Sequence, residues 1–484
     1  MKILLTNSPL PFEKHARLKS NRIHWGFLPP LGIAYIGAVL ENNGHSVKLI
    51  DAQIFNYQDK DILEICLNFK PSIIGISTNS ATSSSAYHLA QTLKSNLPDS
   101  KIIIGGAHPS CYPEMVTKEA NAADVIVIGE GEYIMKDIVE HYENNKSLSD
   151  INGIIYRDIE NKFITNPPST DIIDVEKLPF PAYHHFPMNL YAPEPFDNKI
   201  LPSTSYITSR GCSYSKCTFC HRAGRLKRPY RNKSPQKVFN EIKLLMADFG
   251  IKEIVFFDDE IISNHRWIYD FCDLLLRNKL NLFWTARARV DSVNIELLRL
   301  MHKSGCHTIE YGFESGNQSL LDGIKKGITL EQCLNAARWT HLAGINIVGT
   351  FMIALPGENP ELGRETIKFA KQLDCDFAAF TATHPFLGTP LYDSCLKESK
   401  EIIQPYTSAF VSPRFIPLVT YVPEGYQTKK SVELIVKKAY MSFYLRPKYI
   451  LKHIRKIKSF NDFKRYWNGL KFFINMKKFF DKYL

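Results

Sequence analysis

Along the first 145 positions, apolar residues arrive in short unbroken runs separated by longer amphipathic stretches. Residues 2–7 predict a buried strand, 31–43 a helix and 47–51 a second strand. Further runs at 73–77, 102–105 and 125–128 are apolar almost throughout, as parallel strands covered on both faces must be. Regular alternation of strand and helix predicts a doubly wound α/β, Rossmann-like domain over residues 1–145.

From 146 to about 200 the pattern loosens into a proline-rich linker. Short strands are expected around 153–156 and 163–165, followed by Asn166-Pro167-Pro168 and Leu178-Pro179-Phe180-Pro181. Prolines at this density cannot continue a helix or a central strand, so an extended connector is predicted. Its aromatic stretch, 183–191, is expected to wrap a domain face, with a substrate lid as the alternative.

Alternation resumes from 201 to 395. Strands are predicted at 205–208, 253–257, 282–285, 308–311, 345–352 and 377–381. Ser234-Pro235 supplies the cap and first turn of a helix to about 248, and Thr329-x-x-Gln332 a capping box. Six strand-helix units make a partial (β/α)6 barrel, in which chemistry belongs where strands end and loops begin. The region 396–484 has no catalytic motif. It is expected to be mostly helical and to close the barrel mouth, with Tyr406, Phe410 and the Arg446-Pro447 turn as contributors.

Composition narrows the class. A chain of 484 residues outgrows a single core, and 44% hydrophobic with 23% charged residues excludes disordered and fibrous proteins. No apolar run approaches a membrane span. The net charge of +11 is concentrated at the end, where residues 441–484 hold twelve Lys plus Arg against Asp462 and Asp481. Phe463, Tyr466, Trp467, Leu470, Phe473 and Ile474 recur there at helical spacing, predicting a basic amphipathic helix docked on its own barrel. Peripheral contact with an anionic membrane or a lipid-like substrate is the alternative, whereas the near-neutral body argues against nucleic acid.

Seven of the ten cysteines are scattered, and three fall within nine residues: Cys212, Cys217 and Cys220. With no secretory signal at the start, this points to a reducing cytoplasm and a metal site. Three thiolates on one loop can hold three irons of a [4Fe-4S] cube and leave the fourth open to a small ligand. A plant-type ferredoxin loop shares the C-x4-C-x2-C spacing but needs a fourth cysteine nearby, and the next is Cys272. A zinc site completed by His221 would need that residue to close a tetrahedron with its own neighbour, Cys220.

The strand ends carry the remaining candidates. In the first domain they are Thr6-Asn7-Ser8, Ser77-Thr78-Asn79-Ser80, Gly105-Gly106-Ala107-His108 and Gly129-Glu130-Gly131-Glu132. Glycines admit close backbone approach, and hydroxyls and amides offer uncharged hydrogen bonds. No Gly-x-Gly-x-x-Gly follows the first strand, which disfavours a dinucleotide. The Gly-Gly-x-His-Pro and Gly-Glu-Gly-Glu segments resemble the cobalamin-binding domain that opens one large class of radical S-adenosylmethionine (SAM) enzymes. That resemblance implies cobalamin contacts from Ser77, Thr78, Asn79, Gly105, Gly106, His108, Gly129, Glu130, Gly131 and Glu132. The cobalt-ligating Asp-x-His-x-x-Gly motif of many corrinoid domains is absent, and His108 reads instead as a hydrogen-bonding loop residue. A domain that merely braces the barrel stays open as the bland alternative.

The cysteine loop, with Phe219 before its third cysteine, resembles the radical SAM signature, although one extra residue separates the first two cysteines. The resemblance implies a [4Fe-4S] cluster on Cys212, Cys217 and Cys220, with SAM at the open iron. Asp258 and Asp259 would then hold the SAM amino group, Arg287 its carboxylate, and Glu314 and Ser315 the ribose. Phe219 would lie along the ligand, and Leu355-Pro356-Gly357-Glu358 near the adenine. Each has a structural alternative as a cap, an ion pair or a turn residue. Over residues 1–395 the resemblance implies reductive cleavage of SAM to a 5'-deoxyadenosyl radical, fed by a low-potential donor of flavodoxin or ferredoxin type. The leading expectation is methylation of an unactivated carbon in a small molecule or lipid. Alternatives are a cyclisation, rearrangement or oxidation like that of the anaerobic magnesium-porphyrin cyclase, or a non-catalytic corrinoid or iron-sulfur carrier.

Overall fold

The computed structural model describes residues 1–10, 24–194, 197–224, 227–398 and 419–457. One compact unit spans Met1–Tyr191 and a second begins at Ala192.

In the first unit, β1 (Lys2–Asn7), β2 (Ser46–Ile50), β3 (Ile73–Ser77), β4 (Lys101–Gly105) and β5 (Val125–Val127) are parallel. Two short strands, β6 (Ile154–Arg157) and β7 (Phe163–Thr165), add to the edge antiparallel, giving the order β2-β1-β3-β4-β5-β6-β7 among the described residues. The strands expected in a connector therefore belong to this sheet. Ile3, Leu4, Ile74, Ile76, Ile102 and Ile104 are fully buried because helices cover both faces. On one face Ile62, Cys66, Leu89 and Leu93 join Leu4 and Ile74 in the core. The chain departs from β1 to β2 on one side and to β3 on the other, so a topological switch point lies at β1. The aromatic stretch wraps this unit: the Ala182 N–H donates to Ala34 O at 3.1 Å and the Tyr191 hydroxyl to Asp51 Oδ2 at 2.8 Å.

In the second unit, β8 (Ser203–Tyr206), β9 (Glu253–Phe256), β10 (Phe283–Ala288), β11 (Cys306–Glu314), β12 (Asn346–Ile353) and β13 (Phe377–Ala382) pair consecutively and in parallel. This is the expected partial barrel, with strand bounds a few residues from those predicted. Phe256, Trp284, Phe313, Phe351 and Phe380 are all buried; Phe256 packs on Trp284, and Phe313, Phe351 and Phe380 stack in sequence. An incomplete barrel leaves a strand edge, and the helix Lys429–Tyr444 covers that of β13. Its Tyr440 hydroxyl accepts from Phe380 N at 3.0 Å, while Tyr444 accepts from Ala378 N at 3.0 Å and donates to Ala378 O at 2.9 Å.

The final described helix, Pro447–Lys456, corrects one expectation. Its Tyr449 hydroxyl donates to Asp376 O and Lys452 Nζ to Asp374 O, both at the start of β13. The Arg446-Pro447 turn thus lies by the opposite end from the cysteine loop and does not shape the mouth. Residues 419–426 reach the strand ends instead: Thr420 Oγ1 meets His384 Nδ1 at 2.6 Å, and Tyr421 packs with Leu391 and Phe219. Tyr406, Phe410 and the apolar positions 463–474 lie outside the described residues. Among the described residues no helix is long and apolar enough to cross a membrane.

Candidate active site

The cysteine loop is anchored before it begins. Beyond β8, Ser209–Arg210 pairs antiparallel with Arg231–Asn232. Asp258 is buried beneath the turn and accepts from Thr208 N at 3.1 Å, Thr208 Oγ1 at 2.6 Å and Ser209 Oγ at 2.5 Å. Burial raises its pKa, with these bonds opposing. Asp258 therefore staples the loop by accepting from Thr208 and Ser209. Gly211 follows at φ +90°, where a β-carbon would sit 2.9 Å from Pro229 O, so only glycine fits.

The extra residue between the first two cysteines is absorbed locally. Ser215 adopts φ +44° and its hydroxyl bonds Cys212 O. Tyr214 turns outward, stacks under the Arg289 guanidinium at 3.9 Å and donates to Lys325 O at 2.8 Å. It rests on Gly327, where a β-carbon would come within 2.2 Å of its hydroxyl. The Thr218 N–H then donates to Ile324 O at 2.9 Å, tying the loop to the segment after β11.

Cys212, Cys217 and Cys220 are partly exposed, and the other seven cysteines are buried. Cys212 Sγ lies 4.0 Å from Glu260 Oε2. Burial pushes the Cys217 thiol up to about 11, opposed by Lys326 and Arg289. Burial also raises Cys220, opposed by the Arg222 N–H that points at its sulfur from 3.4 Å. A metal supplies what these thiols lack, since ligation deprotonates them, and the neighbouring cations favour the resulting negative charge. Cys272, the candidate fourth ligand of a ferredoxin, is buried in the helix His265–Arg277 and accepts from Ser304 Oγ. The three partly exposed thiols on one braced loop fit an iron-sulfur cube with an open iron.

The remaining strand-end residues divide into paired and accessible groups. Asp259 is partly exposed and bridges Arg222 at 2.8 Å. Arg287 is about one-third exposed, stacks on Phe257 at 4.4 Å and pairs with Glu310 at 3.2 Å. Glu314, at φ +61°, forms a buried pair with Lys326 at 2.8 Å. Ser315 bonds Thr366 and accepts from Asn317 N, so it closes the turn after β11. Phe219 packs on Leu320, Ile324 and Leu355, an apolar shelf beside the third cysteine. Burial raises Glu358 to about 7, and it accepts from Ala354 N and the Tyr426 hydroxyl. Glu260, Glu310 and Lys326 escaped sequence reasoning. For Glu260 the signal was an unbroken Asp-Asp-Glu run at a strand end; Glu310 and Lys326 carry no local mark.

At the strand ends of the first unit, Ser77, Gly105, Gly106, Gly129, Glu130 and Gly131 are half-buried and Asn79 is exposed. Thr78 turns inward into a hydroxyl cluster with Ser8 and Thr82, and Glu132 is buried. His108 is also buried, 3.1 Å from Ser80 Oγ through Nδ1, and burial lowers its pKa to about 4. It is a neutral, hydrogen-bonded residue of the loop.

Comparisons with known proteins agree with this division. Residues 26–139 match the B12 binding domain and residues 206–370 the radical SAM superfamily. An uncharacterized methyltransferase of Pyrococcus horikoshii is 32% identical over 426 residues, covering 88% of this chain and 90% of the relative. The chain belongs to the cobalamin-binding radical SAM family. Other relatives in this family include the cytidylyl-2-hydroxyethylphosphonate methyltransferase of Streptomyces wedmorensis, 29% identical over 76% of this chain and 78% of the relative. The anaerobic magnesium-protoporphyrin IX monomethyl ester cyclase of Rubrivivax gelatinosus is 27% identical over 81% and 70%. Among solved structures, the cobalamin-dependent SAM radical enzyme OxsB, with aqua-cobalamin and SAM bound, aligns over 97% of this chain and 70% of its own (TM-score 0.74, 20% identity). The methyltransferase TsrM from Kitasatospora setae, with cobalamin and a [4Fe-4S] cluster bound, aligns over 92% and 89% (TM-score 0.71, 16% identity). These likenesses establish the shared fold.

Proposed function

We propose that the protein is a cobalamin-dependent radical SAM methyltransferase that acts on an unactivated carbon of a small-molecule or lipid-like substrate. The observation that carries this reading is a braced loop presenting three partly exposed thiols at the carboxyl ends of a six-stranded parallel barrel, in a chain that also has a B12-binding domain. Cys212, Cys217 and Cys220 would hold a [4Fe-4S] cluster, which when bound supplies the electron and the open iron for cleaving SAM. Cobalamin, when bound, supplies a transferable methyl group.

The chain's own residues would do the positioning. Asp259 offers negative charge for an ammonium, and the Arg287 guanidinium is a partner for a carboxylate. Phe219 with Leu320, Ile324 and Leu355 offers a dry shelf for a flat ring, while Lys326 and Arg289 stabilise negative charge at Cys217. In the first unit Ser77, Asn79, Gly105, Gly106, Gly129, Glu130 and Gly131 would meet cobalamin through backbone and neutral groups. Buried His108 would brace that rim without reaching the metal. The donor would be a small low-potential flavodoxin or ferredoxin.

Incubating the reconstituted enzyme with deuteromethyl SAM and candidate substrates tests the reading. Labelled product supports it; deoxyadenosine release with unlabelled product overturns methylation and favours the cyclising or oxidising outcome that the Rubrivivax gelatinosus relative suggests. Absence of SAM cleavage under strong reduction would leave a carrier. A peripheral lipid contact is also part of the proposal. Ile450, Leu451 and Ile454 are 44%, 52% and 58% exposed on one helix that also carries Lys448 and Arg455. Sedimentation with phosphatidylglycerol vesicles but not phosphatidylcholine vesicles is the expected result, and equal recovery from both would refute it.

A further inference from the structure

Apart from its strand ends, the first unit gathers three metal-ligating side chains at its surface. Glu41 is the penultimate residue of the helix Leu31–Asn42, and His184 and His185 belong to a single turn of 3-10 helix in the connector, Tyr183–His185. His185 Nε2 lies 2.7 Å and His184 Nε2 3.2 Å from the same Glu41 Oε1, and the three ligand atoms all fall within 4.8 Å of one another. Ligands bound to one tetrahedral ion at about 2.0–2.1 Å stand roughly 3.3–3.4 Å apart, so small side-chain adjustments would bring the three onto a common centre.

Electrostatics favour a cation here. A carboxylate in the last turn of a helix faces the negative end of the helix dipole, which repels it. Two protonated imidazoles with ring centroids 4.4 Å apart would repel each other, so a pair of protons is a poor counter-charge. One divalent ion places the same charge at a single point between the three side chains. Two imidazoles and a carboxylate suit borderline ions such as Zn2+, leaving a position for water because His184 is largely exposed.

We infer that Glu41, His184 and His185 form a surface site for a zinc-class divalent ion that clasps the connector to the first helix of the cobalamin-type domain. The Ala182 N–H bond to Ala34 O already lays the connector along that helix, so the ion would lock an existing contact. The site shares no residue with the cysteine triad and does not depend on how those thiols are used.

The test uses the full chain with its cluster reconstituted, titrated with Zn2+ by calorimetry and, in parallel, with Co2+ by visible spectroscopy. Expected are one Zn2+ per chain in addition to the cluster iron and a Co2+ spectrum without a thiolate-to-metal charge-transfer band. His185→Ala and Glu41→Gln should each weaken binding by at least about tenfold. The amide introduced by Glu41→Gln keeps a hydrogen-bond acceptor for the histidines, and an unchanged circular dichroism spectrum confirms that each variant is folded. Zn2+ binding of undiminished affinity in the His184→Ala/His185→Ala double variant would overturn the inference. A thiolate band in the Co2+ spectrum would overturn it as well, because the ion would then sit on cysteines.

Discussion

The two sets of strand ends share a topology and differ in chemistry. Around β3, β4 and β5 of the first unit, the accessible groups are hydroxyl, amide and glycine backbone, with Glu130 as the accessible side chain of formal charge among the candidates. Around β8, β9, β10 and β11 of the barrel they are thiols and charges: Cys212, Cys217, Cys220, Asp259, Arg287 and Glu310. A neutral, backbone-rich rim suits a large ligand gripped through many weak contacts, whereas a charged rim suits a small zwitterion and a metal cluster. The lesson is that parallel strand ends supply location, and the residues placed there decide what is bound.

The largest expected effect breaks the comparison at its sharpest point. Cys217→Ala should lose cluster iron and all measurable deoxyadenosine formation, whereas Cys272→Ala should keep both at a stability loss of about 1 kcal/mol. Iron analysis and SAM cleavage assays distinguish the two. Next comes the buried pair under the charged rim. Lys326→Met leaves the Glu314 carboxylate buried alone and should destabilise the barrel by about 3–5 kcal/mol, most of which Lys326→Met/Glu314→Gln should restore. Denaturant unfolding measures both variants.

A smaller effect separates neighbours. Asp258→Asn removes an acceptor from Thr208 and Ser209 and should cost about 1–3 kcal/mol together with part of the iron. Asp259→Asn breaks a partly exposed pair, should change stability by less than about 1 kcal/mol, and should raise the KM for SAM while iron stays bound. If both variants behaved alike, the division between staple and ligand-facing acid would fall. The smallest effect concerns the neutral rim. His108 is lowered from 6.5 to about 4, so its neutral form contributes stability that is fully present above pH 6.5 and lost as pH falls toward 4. The slope from this residue is at most about 1.4 kcal/mol per pH unit, and His108→Gln should flatten it in pH-dependent melts of the protein.

Much of this architecture was legible along the chain. Lys2–Asn7, Ile73–Ser77 and Phe163–Thr165 form at their predicted positions, and the Thr329 capping box is present. The cysteine triad stood out because three reactive side chains in nine residues need no tertiary information to be noticed. Less legible were partners brought together by the barrel. Glu310 meets Arg287 because β10 and β11 are in register, and Lys326 reaches back to Glu314 across a segment that starts from a left-handed residue and contains the short helix Gln318–Gly323. The strands at 154–157 and 163–165 were visible, but their membership in the first sheet was not, since edge pairing leaves no periodic mark.

Covalent order alone determined the alternation of strands and helices, the two-part organisation and the three thiols, because hydrophobic periodicity and close spacing are local properties. Tertiary structure decided which acid is a staple and which faces solvent. Asp258 and Asp259 are indistinguishable as letters, yet one is sealed beneath the loop with its oxygens filled and the other is partly open. That difference arises from the direction each side chain takes as the strand ends, and from the donors that distant residues place around it.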